Sequence, residues 1–508
     1  MMEFSKKPNI LLIMTDQQRF DTLRCYGNEI IETPCLNWLA EEGTVFTKAY
    51  TPSPSCVPAR ASLITGKKPW KTGVLGMGGN QLEMGVNLGD TIPEYLSKLN
   101  YFTAGIGKMH FYPQRALNGF HQTILDESGR IKDPDFISDY KEWFDNNKPA
   151  EVGIIDHGID WNGWGARPYH LPEYLHATNW TVNQGIKFLK KRDPSKPFFL
   201  KLSFARPHSP YDPPEFYFNM YADKELPKPV IGEWVEECEQ KVTTLDAWNR
   251  KLTDEELKKA KAGYYGSITH IDTQIGRFLF ALKREKLLDD TLIIFTSDHG
   301  DMLGDHNLLR KTYAFEGSAH IPMLVVLPKN MRNSVKSKKV NVPVQLQDIF
   351  PTILDILGEN IPNEIDGKSM FKLIKGEEIE RKYIHGEHST CYSENHEMQY
   401  IVSEDFKYIW YPRREKNEEQ LFDLKNDPYE LKDLSKNDDY KSIIEKMRGY
   451  MAEELSERGE EVVKEGKLVS QKGKPYMTSP FYEKRLESYG WDWTKYGNFK
   501  KGTLETIK

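Results

Sequence analysis

Ser55-Cys56-Val57-Pro58-Ala59-Arg60-Ala61-Ser62-Leu63-Ile64-Thr65-Gly66 is the stretch around which the chain is organised. Pro58 fixes φ and has no N–H, so it suits the first turn of a helix. Cys56 then lies at the helix mouth, where free N–H groups and the helix dipole favour anionic groups. Arg60 falls one turn later and can point back at the same anion. Taken alone, Cys56 reads more simply as a buried structural cysteine beside a helix start.

Outward from this stretch the chain alternates strands and helices. Residues 9–16 form an apolar run ending in Asp16, which reads as a buried parallel strand. Ligands gather at the carboxyl edge of such sheets, although an acid there also reads as a plain helix N-cap. A helix from 33 and a strand over 44–50 deliver the chain to Cys56. A second helix opens at 92, and its partner strand, 101–105, leads to Gly107-Lys108-Met109-His110. Lys108 and His110, two apart at a strand end, face the same way; an ordinary polar loop is the alternative. The spacing predicts a helix over 179–191 and a strand over 198–204. That strand enters Arg206-Pro207-His208-Ser209-Pro210, a stiff loop presenting His208. Residues 254–286 read as helix in two segments. The strand over 292–297 ends in Asp298-His299-Gly300-Asp301, with Lys311 in the following loop. A strand over 321–327 and a short helix stopped by Gly358 complete the pattern. It predicts an α/β fold with a large, mixed, mostly parallel sheet flanked by helices. Asp16 and Asp298 should converge on one edge of that sheet. A cation between them would relieve their repulsion, or Arg19 could neutralise Asp16 locally.

Cys56-X-Pro58-X-Arg60, followed by Thr65-Gly66, resembles the signature of type I, formylglycine-dependent sulfatases of the alkaline phosphatase superfamily. Asp16-Gln17, Gly107-Lys108-Met109-His110, Pro207-His208-Ser209-Pro210, Asp298-His299 and Lys311 are similar to further motifs of that family, as is Gln420-Leu421-Phe422-Asp423-Leu424. The resemblance implies an alkaline phosphatase-like fold and a sulfuric ester hydrolase. It implies that Cys56 is oxidised to formylglycine by a formylglycine-generating or anaerobic sulfatase-maturing enzyme. One hydroxyl of the hydrated aldehyde attacks sulfur and releases the alcohol; the second loses its proton and expels sulfate. One divalent metal is implied, Ca²⁺ first with Mg²⁺ or Mn²⁺ open. Its ligands are Asp16, Gln17, Asp298, His299 and the residue-56 oxygen. Arg60, Lys108 and Lys311 spread positive charge over the sulfuryl group. His110 takes the proton from the second hydroxyl, and His208 donates to the leaving oxygen.

Two departures matter. Many relatives carry two aspartates where this chain has Asp16-Gln17, and many have Asn where it has His299. These keep a phosphonate monoester or phosphodiester hydrolase on the same fold as an alternative, and they leave the metal open. An inactive sugar-sulfate binding protein is the non-enzymatic alternative. A two-metal phosphatase calls for a Ser or Thr nucleophile, which Cys56 opposes.

Between 113 and 176 clear periodicity is lost. The stretch 158–170 is rich in aromatics and turn formers. It reads as a packed surface excursion or as a loop over the substrate, with Trp161, Trp164, Arg167 and His170 as candidates. On the second reading the substrate is a small sulfate ester, a sulfated carbohydrate or an aryl sulfate.

The 508 residues favour two domains, one large and one small, placed at 1–378 and 379–508 across a charged hinge at 376–381. Short alternating runs over 383–387, 398–403, 406–411 and 419–423 predict a small antiparallel sheet, covered by an amphipathic helix over 443–457. The aromatic tail from 473 should fold back on the surface. Lys plus Arg number 69 and Asp plus Glu 75, a net −6 with no basic footprint for nucleic acid. Cys25, Cys35, Cys56, Cys238 and Cys391 show no zinc or disulfide spacing, which fits a reducing compartment. No stretch approaches a membrane span, and the apolar run at 10–14 is too short for a signal-peptide core. The chain is therefore expected to be cytoplasmic. Oligomeric state is not legible.

Overall fold

The computed structural model describes residues 7–77, 88–129, 135–236, 247–390, 396–416, 418–472 and 475–482. The strands of its large sheet region are β1 (Asn9–Asp16), β2 (Thr44–Phe46), β3 (Ala49–Tyr50), β4 (Phe102–Gly107), β5 (Gln122–Leu125), β6 (Phe198–Pro207), β7 (Thr291–Ser297), β8 (Met323–Val326), β9 (Lys339–Val340) and β10 (Val344–Gln345). Eight of them form one sheet in the order β5-β4-β6-β1-β7-β8-β2-β9. β1 runs parallel to β6 and β7, and β4 parallel to β5 and β6. β8 runs antiparallel to β7 and β2, so the sheet is mixed and mostly parallel.

Burial on both faces explains the unbroken apolar run of β1. Ile10, Leu12 and Met14 pack with Leu63 and Ile353, from the helices Cys56–Thr65 and Ile349–Ile356. Leu11 and Ile13 face the other way, onto Val182, Ile271 and Phe278 of the helices Ala177–Lys191 and Asp254–Arg284. Register then places the chemistry. Thr15 lies opposite Ser297, so Asp16 and Asp298 leave adjacent parallel strands side by side. Pro207 ends β6 beside Asp16, and Gly107 ends β4 opposite Ser203. Gly107 has φ +91°, and a Cβ there would stand 2.0 Å from Ser203 O, so only glycine lets β4 turn toward Lys108.

Three local expectations are corrected. Residues 254–284 are one 31-residue helix, opened by a capping box of Thr253 with Glu256. Gly263 and Gly266 inside it mark close approach, not a break: added Cβ atoms would meet Tyr211 O at 2.7 Å and Tyr217 O at 2.8 Å. The expected strand over 44–50 is two strands, because β2 joins the main sheet and β3 pairs with β10. The aperiodic region contains the edge strand β5 and the helix Asp139–Asn147, which buries only Tyr140 and Phe144 and so leaves a weak pattern.

Four further strands, β11 (Ile384–His388), β12 (Met398–Val402), β13 (Phe406–Trp410) and β14 (Glu419–Asp423), form the small antiparallel sheet. The helix Lys441–Leu455 covers one face, Ile444, Met447 and Met451 meeting Ile401, Tyr408 and Leu421. The other face carries Tyr400, Val402 and Phe422 onto Tyr50, Met302 and Phe315. The small sheet thus presses on the loop that follows β7. Tyr482 packs into the main core, whereas Tyr489, Trp491, Trp493 and Tyr496 of the tail, with Cys238 and Cys391, lie outside the described residues. Among the described residues no helix is long and apolar enough to cross a membrane.

Candidate active site

The helix Cys56–Thr65 starts at the cysteine. Ser55 is extended at φ −157°, Gly66 closes the far end in the left-handed region, and all ten helical residues are buried. Ser55 does not cap the helix with its hydroxyl. That hydroxyl instead meets His388 Nε2 at 2.8 Å, a residue brought in by β11 of the small sheet.

Around Cys56 the strand ends deliver acids and cations. Cys56 Sγ lies 3.2 Å from His299 Nε2, 3.2 Å from Lys311 Nζ and 3.7 Å from Asp16 Oδ1. Arg60 donates through Nε to Asp298 Oδ2 at 2.7 Å and through Nη1 to Lys108 O at 2.6 Å and Ser203 Oγ at 3.0 Å. Its Nη2 stands 3.5 Å from Asp16 Oδ2, and Lys108 Nζ pairs with the same oxygen. Gln17, with φ 69°, donates its backbone N–H to Asp298 Oδ1 at 3.0 Å. Its amide oxygen accepts from Lys311 Nζ at 3.1 Å.

Burial alone would raise the Asp16 carboxyl, but Lys108, His208, Arg60 and Lys311 hold it well below the usual carboxylate range. Burial and the Asp16 charge work against Asp298 too, and Arg60 with His299 reverses them, leaving it lowered. Burial and Asp16 also oppose a Cys56 thiolate, yet Lys108, Lys311 and His299 pull the thiol down to about 6. Burial disfavours a charged His299, whereas Asp298 and Cys56 raise it. The pocket is therefore built to hold negative charge at residue 56.

The ligand atoms of Asp16, Cys56, Asp298 and His299 lie within 4.8 Å of one another, and all four residues are buried. His299 Nδ1 bonds Gly300 O at 2.8 Å, which turns Nε2 toward Cys56. Two carboxylates and an imidazole suit a divalent cation with oxygen and nitrogen ligands, so this donor set fits a metal. Gln17, the other ligand implied by the resemblance, is adjacent to the four but spends its amide oxygen on Lys311. Arg19, the local alternative partner for Asp16, pairs instead with Asp21 and Asp305.

The remaining expected residues fall into two groups. His208 joins the site, its backbone N–H donating to Asp16 O at 3.0 Å. His110, with φ 61°, follows Lys108 in the same strand-end turn, and its backbone N–H donates to Glu127 Oε1 at 3.0 Å. The 158–170 stretch packs mainly against neighbouring segments of the chain. Arg167 Nη1 donates to His157 O at 2.5 Å, and His170 Nε2 meets Gly153 O at 3.0 Å. Trp164 is buried with the Arg250 guanidinium 5.1 Å from its ring. Trp161 lies under Arg206 at 5.8 Å. The loop touches the site at Gly163, whose carbonyl accepts from Ser209 Oγ beside His208.

Four contributors escaped the sequence reading. Glu127 holds the backbone of Met109 and His110, Ser203 holds Arg60, Asp301 takes the Gln17 amide N–H at 2.5 Å, and His388 holds Ser55. Asp301 was in view as the last residue of the Asp298 motif. Ser203 had a weak signal, next to last in the apolar run 198–204. Glu127 and His388 had none.

The fold and this site place the chain in a defined class: it belongs to the sulfatase family, whose family model, Sulfatase, matches residues 8–359. A second model, N-sulphoglucosamine sulphohydrolase, C-terminal, matches residues 304–457. An arylsulfatase of Clostridium perfringens (strain 13 / Type A) is 45% identical over 487 residues, covering 93% of this chain and 99% of that protein. Among solved structures, the phosphonate monoester hydrolase of Agrobacterium radiobacter superposes with a TM-score of 0.70 at 25% identity, covering 92% of this chain and 100% of that one. A structure in complex with its substrate, D-glucosamine-2-N,6-O-disulfate, superposes with a TM-score of 0.69 at 23% identity, covering 91% and 100%. The protein is an enzyme of the sulfatase class on an alkaline phosphatase-like fold.

Proposed function

We propose that this enzyme hydrolyses sulfate monoesters of carbohydrates or aryl alcohols with formylglycine at position 56 and one divalent metal. The carrying observation is Cys56 at a helix mouth, within 3.2 Å of both Lys311 Nζ and His299 Nε2 and beside two paired strand-end acids. Sγ of Cys56 stands in for the hydroxyl oxygens of the hydrated aldehyde, which supplies one hydroxyl to attack sulfur and a second to expel sulfate. Asp16, Asp298, His299 and the residue-56 oxygen would hold the metal, with Gln17 beside them. When bound, the metal supplies positive charge to a sulfuryl oxygen and acidity to the attacking hydroxyl. Ca²⁺ comes first for the carboxylates, and the His299 imidazole, an unusual ligand for Ca²⁺, leaves Mg²⁺ or Mn²⁺ open.

The chain's own residues do the rest. Arg60 braces Asp298 and the Lys108 backbone, and Gln17 holds Lys311 Nζ, so that both lysines keep their ammonium groups on the reacting side. These fixed cations act where charge builds on the sulfuryl oxygens. His208 Nδ1 bonds Ser209 O at 3.0 Å, which orients the ring for donating a proton to the leaving oxygen. His110 serves the second hydroxyl. Residue 56 depends on a formylglycine-generating or anaerobic maturing enzyme.

Two measurements test this. Chelation followed by elemental analysis should leave protein without turnover, and readdition of Ca²⁺, Mg²⁺ or Mn²⁺ should restore it; full activity in metal-free protein contradicts the assignment. The Gln17 and His299 departures, with the likeness to a phosphonate monoester hydrolase, favour one second reading: hydrolysis of phosphonate monoesters. Comparing kcat/KM on an aryl sulfate and on an aryl phosphonate decides. Lys108 and His110 lead us to expect the sulfate to be preferred, and preference for the phosphonate reverses the assignment.

A further inference from the structure

We propose that Asp301 is a positioning residue of the cation pocket: it fixes the Gln17 amide so that oxygen, not nitrogen, faces Lys311 and the cation. The inference rests on the metal reading of the site given above. Asp301 lies outside the cluster of candidate ligands, which is Asp16, Cys56, Asp298 and His299. It is buried, and three donors converge on its carboxylate. Leu303 N donates to Oδ1 at 2.8 Å, while Tyr211 Oη and Gln17 Nε2 each donate to Oδ2 at 2.5 Å. Its backbone is held as well, Arg19 Nη1 donating to Asp301 O at 2.8 Å.

Gln17 has little other freedom. Its φ of 69° is left-handed, its N–H donates to Asp298 Oδ1 at 3.0 Å, and its carbonyl accepts from Tyr264 Oη at 2.5 Å. With the backbone fixed, the open choice is which end of the side-chain amide points each way. The two ends are not equivalent, since the NH₂ only donates and the oxygen only accepts. A carboxylate on one side and an ammonium on the other leave one orientation: Nε2 to Asp301, and Oε1 to Lys311 Nζ at 3.1 Å. Lys311 Nζ in turn lies 3.2 Å from Cys56 Sγ. An unbroken chain of polar contacts thus runs from Tyr211 through Asp301, Gln17 and Lys311 to residue 56.

The orientation has a chemical consequence. An amide oxygen has two lone pairs. Lys311 takes one, and the other suits a hard cation. A flipped amide would turn N–H donors on both the ammonium and the cation. Asp301 therefore acts on the cation through Gln17, as groups behind a metal ligand commonly do. Tyr211 adds a link across the site. It stands three residues after His208 in the loop that follows β6, so the carboxylate that orients Gln17 also anchors the segment carrying the leaving-group acid.

A double-mutant cycle tests this, read as the Mn²⁺ dissociation constant of metal-stripped protein by titration calorimetry, with Ca²⁺ in parallel. The four proteins are wild type, Asp301→Asn, Gln17→Ala and the double variant, each checked by its thermal unfolding midpoint. Asp301→Asn leaves one acceptor oxygen for three donors, so the Gln17 amide loses its bias. It should weaken Mn²⁺ about tenfold or more. In the Gln17→Ala background the same change should weaken it no more than about twofold, because the group it acts through is gone. A plain charge effect or general loosening would give the same factor in both backgrounds, and that result overturns the proposal. So does an unchanged dissociation constant in Asp301→Asn. Asp301→Ser, smaller and uncharged, carries the cycle if Asp301→Asn does not fold, with the same two factors expected. Wild type that binds neither cation fails the metal reading, and the proposal with it. Wild type that binds Mn²⁺ but hydrolyses no 4-nitrophenyl sulfate, with the peptide mass showing formylglycine at position 56, fails the sulfatase reading, while the cycle still decides the role of Asp301.

Discussion

Cys56→Ala is expected to lower turnover of an aryl sulfate by on the order of 10⁴-fold or more, the loss seen when a nucleophile is removed from an otherwise intact site. The fold should survive. Residue 56 is fully buried but small, and deleting one buried atom from a helix mouth costs about 1 kcal/mol, comparable to Ile→Val changes. Arg60, Asp16 and Asp298 keep their mutual pairs without it. Cys56→Ser should fail as well, because a serine hydroxyl can attack but leaves no second hydroxyl to expel sulfate. The measurement is turnover alongside thermal unfolding, with the mass of the residue-56 peptide recorded to show thiol or aldehyde in the wild type. Wild-type-like turnover in Cys56→Ala would sink the nucleophile assignment.

Lys407→Met is expected to destabilise the protein by about 3–5 kcal/mol, the range for removing one partner of a buried ion cluster. Lys407 Nζ, on β13, donates to Ala314 O at 2.9 Å, Glu316 Oε1 at 2.5 Å and Glu430 Oε1 at 2.8 Å. Glu430 in turn accepts from Glu316 N at 2.7 Å. Burial and the Glu316 charge push the Glu430 carboxyl up to about 7, against Lys407. Burial also opposes a charged Glu316, but Lys407 and His320 bring it down to about 2. A carboxyl raised in the folded state costs stability progressively as pH rises from its unfolded value toward the folded one. Without Lys407 both carboxyls should be raised, so the deficit should be largest near pH 8 and shrink toward pH 5. Unfolding midpoints at the two pH values check this. An equal deficit at both would mean lost packing rather than stranded charge. Activity should fall in parallel, since Glu316 and Ala314 belong to the segment that follows Lys311.

The likeness between the family's motifs and this chain was legible because its carriers are local. Asp16, Cys56, Lys108, His208 and Asp298 each sit at a strand end or helix start that short-range patterning announces: an apolar run, a proline, a glycine. Fold class followed from the same runs, because a strand buried on both faces must be apolar throughout, as β1 is. Helix continuity over 254–284 was not legible. Glycine inside a helix reads as a weakness until the tertiary structure supplies a backbone for it to approach, here at Tyr211 and Tyr217. The small sheet's part in the site was equally hidden. His388 reaches Ser55, and Lys407 reaches Glu316, across sequence separations of 333 and 91 residues. No periodicity records such a contact, because a buried polar side chain is specified by its partner and not by its neighbours in the chain. The 158–170 loop shows the converse. Its composition matches a substrate loop, but composition does not say which way a side chain turns, and packing turned Arg167 and His170 onto backbone carbonyls of their own region. By itself the sequence singled out candidate groups for the chemistry and determined which class of sheet would carry them. Only the tertiary structure decided how Asp16, Cys56, Asp298 and His299 meet within 4.8 Å, because that depends on strand register and on cations buried with them.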